Sequence, residues 1–498
     1  MKLLILSTSI MAGIPFLCSC TEEVVISSTE EVVITSTEEV ITTGNNIFYG
    51  GLQVQQTCTI SETDFAAWFA NNTITVNGKV ESANSLETLN NPCDFYKWSW
   101  QMFLWQTSPN GNGLVFTTAP FYDLALDGEL ISNPPTVGKT ALGRISGINS
   151  STGTENMDRN GQAGFLHGVL MTQDVGITPS GSLVYYGVHV NDVYAYMKSG
   201  NKQGSLDLTE FPTTQSQLTE ITNYAQSTYD TSIEDSQALT MELKSSWVEA
   251  DPNSKGIENY LTITADIPKY DQTNSGKWTW DGSTMKENVT LALIGYHVVG
   301  SVAGHPEMVW ATFEHNGNAP NADFYYLDTN GNTKKTNSWN ADGTSKIQDT
   351  LLMSNTGTQQ ATNQMHMEMQ GNDIVATNGF TTISASDSSR THPWGNKPDQ
   401  SSAVNNTAII SLNQSIQGWL DPKDTRRNYF LVGANWTSNG IPGVGKQEPV
   451  VEGSKHLANS SMETYYQFKN CFDCHKDGKL DGLSHIYESV NPLPLPKK

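Results

Sequence analysis

The chain has 498 residues, 37% of them hydrophobic and 9% aromatic, enough for one large core or two ordinary ones. Fifty-one acidic residues against 28 basic ones give a formal net charge of -23. This sets aside a nucleic-acid partner and a polybasic membrane-docking face. The same acidity suits a basic redox partner, and it suits solubility equally well.

The chain opens with Met1-Lys2 and a mostly apolar run from Leu3 to Leu17. That run is short for a membrane span and has the form of an export signal. Its end, Leu17-Cys18-Ser19-Cys20, resembles the lipobox of bacterial lipoproteins. The expectation is a signal peptide over 1–19, with Cys20 acylated and holding the mature protein at a lipid bilayer in the bacterial envelope. Simple secretion and an uncleaved anchor are the alternatives. Three near-identical octads follow, beginning at Thr21, Thr29 and Thr37. They are too short for a solenoid, and 20–45 reads as a spacer or a strand-forming self-association element.

A large β-rich domain is expected over 46–450. Phe65 to Phe69 and Asp94 to Trp105 read as short helices. In the second, Phe95, Trp98, Met102 and Trp105 recur at helical spacing. Cys58 and Cys93 lie beside it and, in an exported chain, pair as a disulfide or remain as buried thiols. Between Gly181 and Met197, Tyr186, Val188 and Val190 alternate as on a strand, and Tyr194 and Tyr196 continue the period. Leu261 to Ile267, Val289 to Val302 with His297 inside it, Met308 to Phe313 and Tyr429 to Trp436 read as further strands. Residues from about 323 to 390 are polar and rich in turn pairs, an expected surface insertion. Within it, Met365-His366-Met367-Glu368-Met369 offers soft and nitrogen donors for copper, or ordinary packing methionines. The fold class is therefore α+β, with a β-rich main domain and a short helical C-terminal segment over 451–498.

That last segment carries Cys471-Phe-Asp-Cys474-His475. Two thiols three residues apart can form thioethers with the vinyl groups of one haem, and the adjacent imidazole becomes the proximal iron ligand. Thiol redox chemistry and zinc are the weaker readings: no strand-turn-helix scaffold surrounds the pair and no second cysteine pair lies nearby. Asn459 to Phe468 reads as a helix leading in. Only 23 residues follow His475 and none is methionine, so the porphyrin must lean on the larger domain or the preceding helix. For the sixth ligand the nearby candidates are His485, Met462 and His456. His297, His305 and His315 could reach in from the main domain, and an open or water-ligated iron is the remaining case.

Several blocks resemble a family of bacterial periplasmic proteins described only as cytochrome c family proteins. They are His456-Leu-Ala-Asn-Ser-Ser-Met-Glu-Thr464, Cys471 to His475, Ser484-His485-Ile486, Trp310-Ala-Thr-Phe-Glu-His315 and Asn318-Ala-Pro320. Leu243-Lys-Ser-Ser-Trp247, Ile294-Gly-Tyr-His297 and Trp98 to Trp105 extend the likeness over roughly residues 90 to 490. The resemblance implies one covalent haem c, held by Cys471, Cys474 and His475 on a large domain without a settled substrate. It also groups His297, Glu314, His315 and Asn318 as a polar constellation. Glu314 and His315 suggest a proton relay, although neighbours on a strand point to opposite faces. The functional expectations are single-electron transfer with a periplasmic or membrane redox partner, a haem-dependent oxidoreductase or peroxide enzyme, and a sensory or binding module.

Overall fold

A computed structural model describes residues 51–338 except 112, 119, 125–129, 133–139 and 142–167. It also describes 349–354, 363–438, 440–442, 450–476, 480–488 and 490–496. The expected signal peptide, Cys20 and the octads lie outside the described residues, as does part of the 323–390 insertion. The described residues belong to one compact unit, Ile47–Lys498. None of its described helices is long and apolar enough to cross a membrane.

The chain folds around a ten-stranded, mostly antiparallel sheet. In chain order the elements that matter are α1 (Glu62–Ala66), α2 (Pro92–Gln106), β1 (Phe121–Leu124), β2 (Leu130–Ser132), β3 (Thr140–Ala141) and β4 (Val184–Asn191). Next come α3 (Asp192–Lys202), α4 (Gln215–Tyr229), β5 (Met241–Glu249), β6 (Thr262–Pro268), β7 (Met285–Val302) and β8 (His305–His315). The set closes with α5 (Ala403–Trp419), β9 (Tyr429–Thr437), β10 (Val451–Gly453), α6 (Cys471–Cys474) and α7 (Leu480–Leu483). The strand order is β10-β9-β8-β7-β5-β4-β1-β2, with β6 along β7 and β3 along β6. The β-rich α+β expectation is met at this level.

Helix α2 begins two residues before the expected Asp94, for a local reason. The Asn91 side chain accepts from the Cys93 and Asp94 amides, and Pro92 occupies the first turn, where its missing N–H costs nothing. Its aromatic face then packs on the sheet. Phe103 stacks on Phe313 with ring centroids 4.3 Å apart, and Trp100 meets Phe313 edge-on at 5.0 Å. The Trp100 indole donates to Asn413 of α5 at 2.8 Å, so both helices cover one face of the sheet. Cys58 and Cys93 are joined in a disulfide, which ties the chain before α1 to the start of α2.

Four local expectations change. The first helix spans Glu62–Ala66 and not Phe65 to Phe69, since Phe69 pairs with Val80 in a β-bridge. The strand containing Tyr186, Val188 and Val190 stops at Asn191, whose side chain caps α3 by accepting from the Tyr194 amide; Tyr194 and Tyr196 are therefore helical. Asn459 to Phe468 forms turns, not a helix. There the Asn459 and Glu463 side chains take up backbone amides, Ser461 N–H to Asn459 Oδ1 and Asn459 N–H to Glu463 Oε2. Such local bonds compete with helix formation. The insertion is not all surface: Met367 and Met369 are buried on a strand pairing with Asp373–Ala376, and Ile374 and Arg390 are buried too. His366 rests on Phe380 and bonds the Ala385 carbonyl. Its neighbours Met367 and Met369 pack as core side chains, as the packing alternative expects. Helices α4 and α5, both 15 residues or longer, went unread because Ser, Thr, Asn and Gln dilute their apolar periodicity.

Replacing Cys58 and Cys93 together by alanine should lower unfolding stability by about 2–4 kcal/mol, as expected for opening a native loop closure. Urea unfolding in non-reducing buffer measures it, and reduction of the unaltered chain should reproduce most of the loss.

Candidate functional site

The second face of the sheet carries the C-terminal segment. Strand register sorts the side chains of this face into rows. One row holds Glu242, Val299, Trp310 and Asn435; the next holds Val188, Lys244, His297 and Thr312; the third holds Tyr186, Ser246, Gly295 and Glu314. Residues 459–461 sit across the second and third rows. Ser461 bonds Ser246 through their hydroxyls, Tyr186 donates to the Ser461 carbonyl, and Asn459 donates to Thr312. Gly295 allows this approach, since a Cβ there would lie 2.4 Å from Ser461 Oγ.

Beneath that turn lies a charged strut. Glu314 and Arg390 are fully buried and paired twice, Arg390 Nε to Oε1 at 3.1 Å and Nη2 to Oε2 at 2.8 Å. The same carboxylate accepts from the Ser460 amide, the Ser460 hydroxyl and Asn318 Nδ2. Arg390 also donates to Asn321 and to the Ala319 carbonyl. Every oxygen of the carboxylate is thus engaged by the core and by the segment that leads to the cysteine motif.

His315 faces the opposite way. Its ring stacks on Tyr260 at 3.7 Å. Its Nδ1 accepts the Gly317 amide, and its Nε2 lies 3.2 Å from the Asn259 carbonyl. Burial pushes its pKa down to about 3, against a smaller upward effect of that carbonyl, so the ring is neutral and both nitrogens are committed. Glu314 and His315 are separated by the strand's alternation and do not form the suggested relay. Each satisfies buried polar groups instead.

The cysteine motif sits over the first row. Cys471 and Cys474 bound the single turn of α6, capped by Asn470, whose side chain accepts from the Phe472 amide. Neither thiol is in a disulfide. Burial pushes the Cys471 thiol well above its ordinary pKa, assisted by Glu463 and opposed by a hydrogen bond with Asn435. A protonated thiol is a poor nucleophile for disulfide exchange. His475 follows, its Nδ1 2.8 Å from the Leu483 carbonyl. The ring lies between two others, Trp310 at 4.0 Å and His485 at 4.1 Å and nearly parallel. His485 reaches back to the Cys474 carbonyl at 3.3 Å. Ser484 donates to Glu242 and meets the Tyr194 hydroxyl, while Phe472, Leu480, Leu483, Ile486 and Tyr487 bury against α3, α4 and Trp310. Cys471 touches both this cluster and the main core.

The other predicted residues are placed apart. Met462 is buried in the main core. His456 stacks on His392 at 5.1 Å and bonds the Phe468 carbonyl. His305 packs on Phe95 and pairs with Glu307, on the helix-covered face. His297 pairs with Glu463, Nε2 to Oε1 at 3.1 Å. Burial works to raise the Glu463 pKa, but His297, Lys244 and the Asn459 amide together hold it below its ordinary value. Sequence reasoning missed Arg390, Ser460 and Glu463, whose roles depend on partners far along the chain.

These contacts define the class: a β-rich α+β protein whose C-terminal segment lays two thiols and stacked imidazoles on one face of a large sheet. No family description, curated protein or solved structure matches the chain.

Arg390→Ala should cost about 3–5 kcal/mol, because it leaves the Glu314 carboxylate buried without its cation. Chemical unfolding tests this, and hydrogen exchange at the Ser460 amide should accelerate in parallel. The double change Glu314→Leu with Arg390→Met should cost less than Arg390→Ala alone.

Proposed function

We propose that this chain is a lipid-anchored, monohaem c-type cytochrome that passes single electrons in the bacterial cell envelope. The observation that carries the reading is the local geometry of Cys471, Cys474 and His475. The two thiols stand one helical turn apart, outside any disulfide. The Leu483 carbonyl engages Nδ1 of His475, which selects the tautomer whose Nε2 carries the coordinating lone pair. The residues therefore fit haem c, with thioethers to Cys471 and Cys474 and His475 as proximal ligand. When bound, such a group supplies a one-electron iron(III)/iron(II) couple.

The chain's own residues do the rest. The Leu483 carbonyl and the Trp310 ring fix the orientation of the half-buried His475 ring. The committed nitrogens of His315 speak against a proton-transferring enzyme centred there. The lipobox-like Cys20 supports attachment to a bilayer, and the net charge of -23 suits a basic redox partner.

Expression in cells with a c-haem maturation system tests the reading. The protein should keep one haem per chain through acid-acetone extraction, and Cys471→Ala with Cys474→Ala should keep none. Complete extraction of haem from the unaltered chain would sink it. In the same cells, Cys20→Ser should release the protein from the membrane fraction.

A further inference from the structure

A cavity opens where the large sheet meets a small one, formed by Asp271–Asn274, Lys277–Thr279, Met367–Gln370 and Asp373–Ala376. Its volume is about 230 Å³, and its walls include Tyr185 of β4, Glu249 of β5 and Lys286 of β7. Tyr270, Gln272 and Trp278 face them from the small sheet and the chain entering it. Tyr185 and Tyr186 point to opposite faces of the large sheet. Tyr186 bonds Ser461 beneath the C-terminal segment, so the cavity lies across the sheet from that segment and does not depend on a haem.

The walls combine two kinds of surface. Tyr185, Tyr270 and Trp278 are buried and give the cavity an aromatic lining. Gln272 and Lys286 are exposed at its rim, and Lys286 pairs with Glu249 of the neighbouring strand. The Ser182 hydroxyl accepts the Glu249 amide at 2.8 Å, which fixes the strand end that carries the carboxylate.

The Tyr185 hydroxyl adds a second observation. Its residue is 5% exposed, yet among the described residues no group hydrogen-bonds that hydroxyl. Burial raises its pKa above the ordinary value, helped by Glu249 and Tyr270 beside it, two other walls of the cavity. It is therefore a protonated donor without a protein acceptor. A buried hydroxyl in that state has lost its bonds to water, and a ligand in the cavity restores one.

These features select a ligand class. A sugar ring offers C–H faces to aromatic side chains and hydroxyls to a polar rim. Two adjacent hydroxyls can bond Glu249 and Lys286 together, one donating to the carboxylate and the other accepting from the ammonium. The ion pair then survives, whereas a charged ligand must compete with one member for the other. The volume lies below the roughly 300–1,000 Å³ of pockets for drug-sized ligands, which suits one ring.

We propose that this cavity binds a single pyranose ring of a neutral sugar, packed against the Trp278 and Tyr270 rings and hydrogen-bonded to the Tyr185 hydroxyl, Glu249 and Lys286.

Saturation-transfer NMR and calorimetry on the full chain test this, with glucose, galactose and N-acetylglucosamine as probes. At least one of the three should bind saturably at one site per chain, with saturation passing from aromatic protons to ring protons of the sugar. Tyr185→Phe keeps the ring and removes the hydroxyl; it should weaken binding roughly 2- to 10-fold, the effect of one hydrogen bond. Glu249→Gln should weaken it roughly tenfold or more, since a bond to a charged group is stronger. Trp278→Ala should abolish the saturation transfer, and Trp419→Ala, an exposed tryptophan of α5 outside the cavity, should leave it intact. Tyr185→Phe and Glu249→Gln preserve side-chain shape, so cooperative thermal unfolding of both separates lost binding from misfolding. Benzoate and phenylalanine are the charged aromatic controls. Failure of all three sugars to bind, sugar binding unchanged in both conservative variants, or binding of the charged controls in place of the sugars overturns the proposal.

Discussion

The Glu314 carboxylate is the contact on which the rest of the arrangement depends. It lies on the sheet face with no access to water, and an isolated charge there would be strongly unfavourable. Arg390 supplies the opposite charge through two parallel hydrogen bonds, while Ser460 and Asn318 occupy the remaining acceptor sites. Its geometry ties three stretches together: strand β8, the end of the polar insertion, and the turn that precedes the cysteine motif. A buried pair of this kind does little for net stability compared with apolar packing. Its effect here is positional. With Ser460 held, Ser461 seats against Gly295 and Ser246, Glu463 reaches His297, and the chain is delivered to the first row where Trp310 receives His475.

The two faces of the sheet do different work. The face under α2 and α5 is an aromatic core, where stacked and edge-on rings supply burial with defined geometry. The face under the C-terminal segment is a ladder of hydroxyl, amide, carboxylate and imidazole groups. Strand alternation makes this division possible, since every second residue of β5, β7 and β8 serves each face. Adjacent residues such as Glu314 and His315 therefore belong to separate environments, one charged and paired, the other neutral and stacked on tyrosine.

Local signals were legible wherever a short stretch decides the outcome. The spaced aromatics mark α2; apolar runs mark β7, β8 and β9; the Cys471 to His475 spacing marks the cysteine motif. The boundaries that failed are those where a polar side chain bonds to nearby backbone. Asn191 ends β4 and starts α3, and Asn459 with Glu463 keeps 459–468 in turns. Composition misled as well: the insertion is polar on average, yet it contributes the buried Arg390 and the buried methionines of a small sheet.

The sequence alone determined the covalent spacing of Cys471, Cys474 and His475, the period of α2 and the apolar character of the central strands, because each depends on residues within a few turns or one strand. Tertiary structure decided which imidazole meets which partner. His297 and Glu463 are 166 residues apart, and Glu314 and Arg390 are 76 apart. Such pairs exist only once strand register has fixed which residues share a row and the segment crossing that face has been pinned. Register is a property of the whole sheet, and no local pattern around any one histidine contains it.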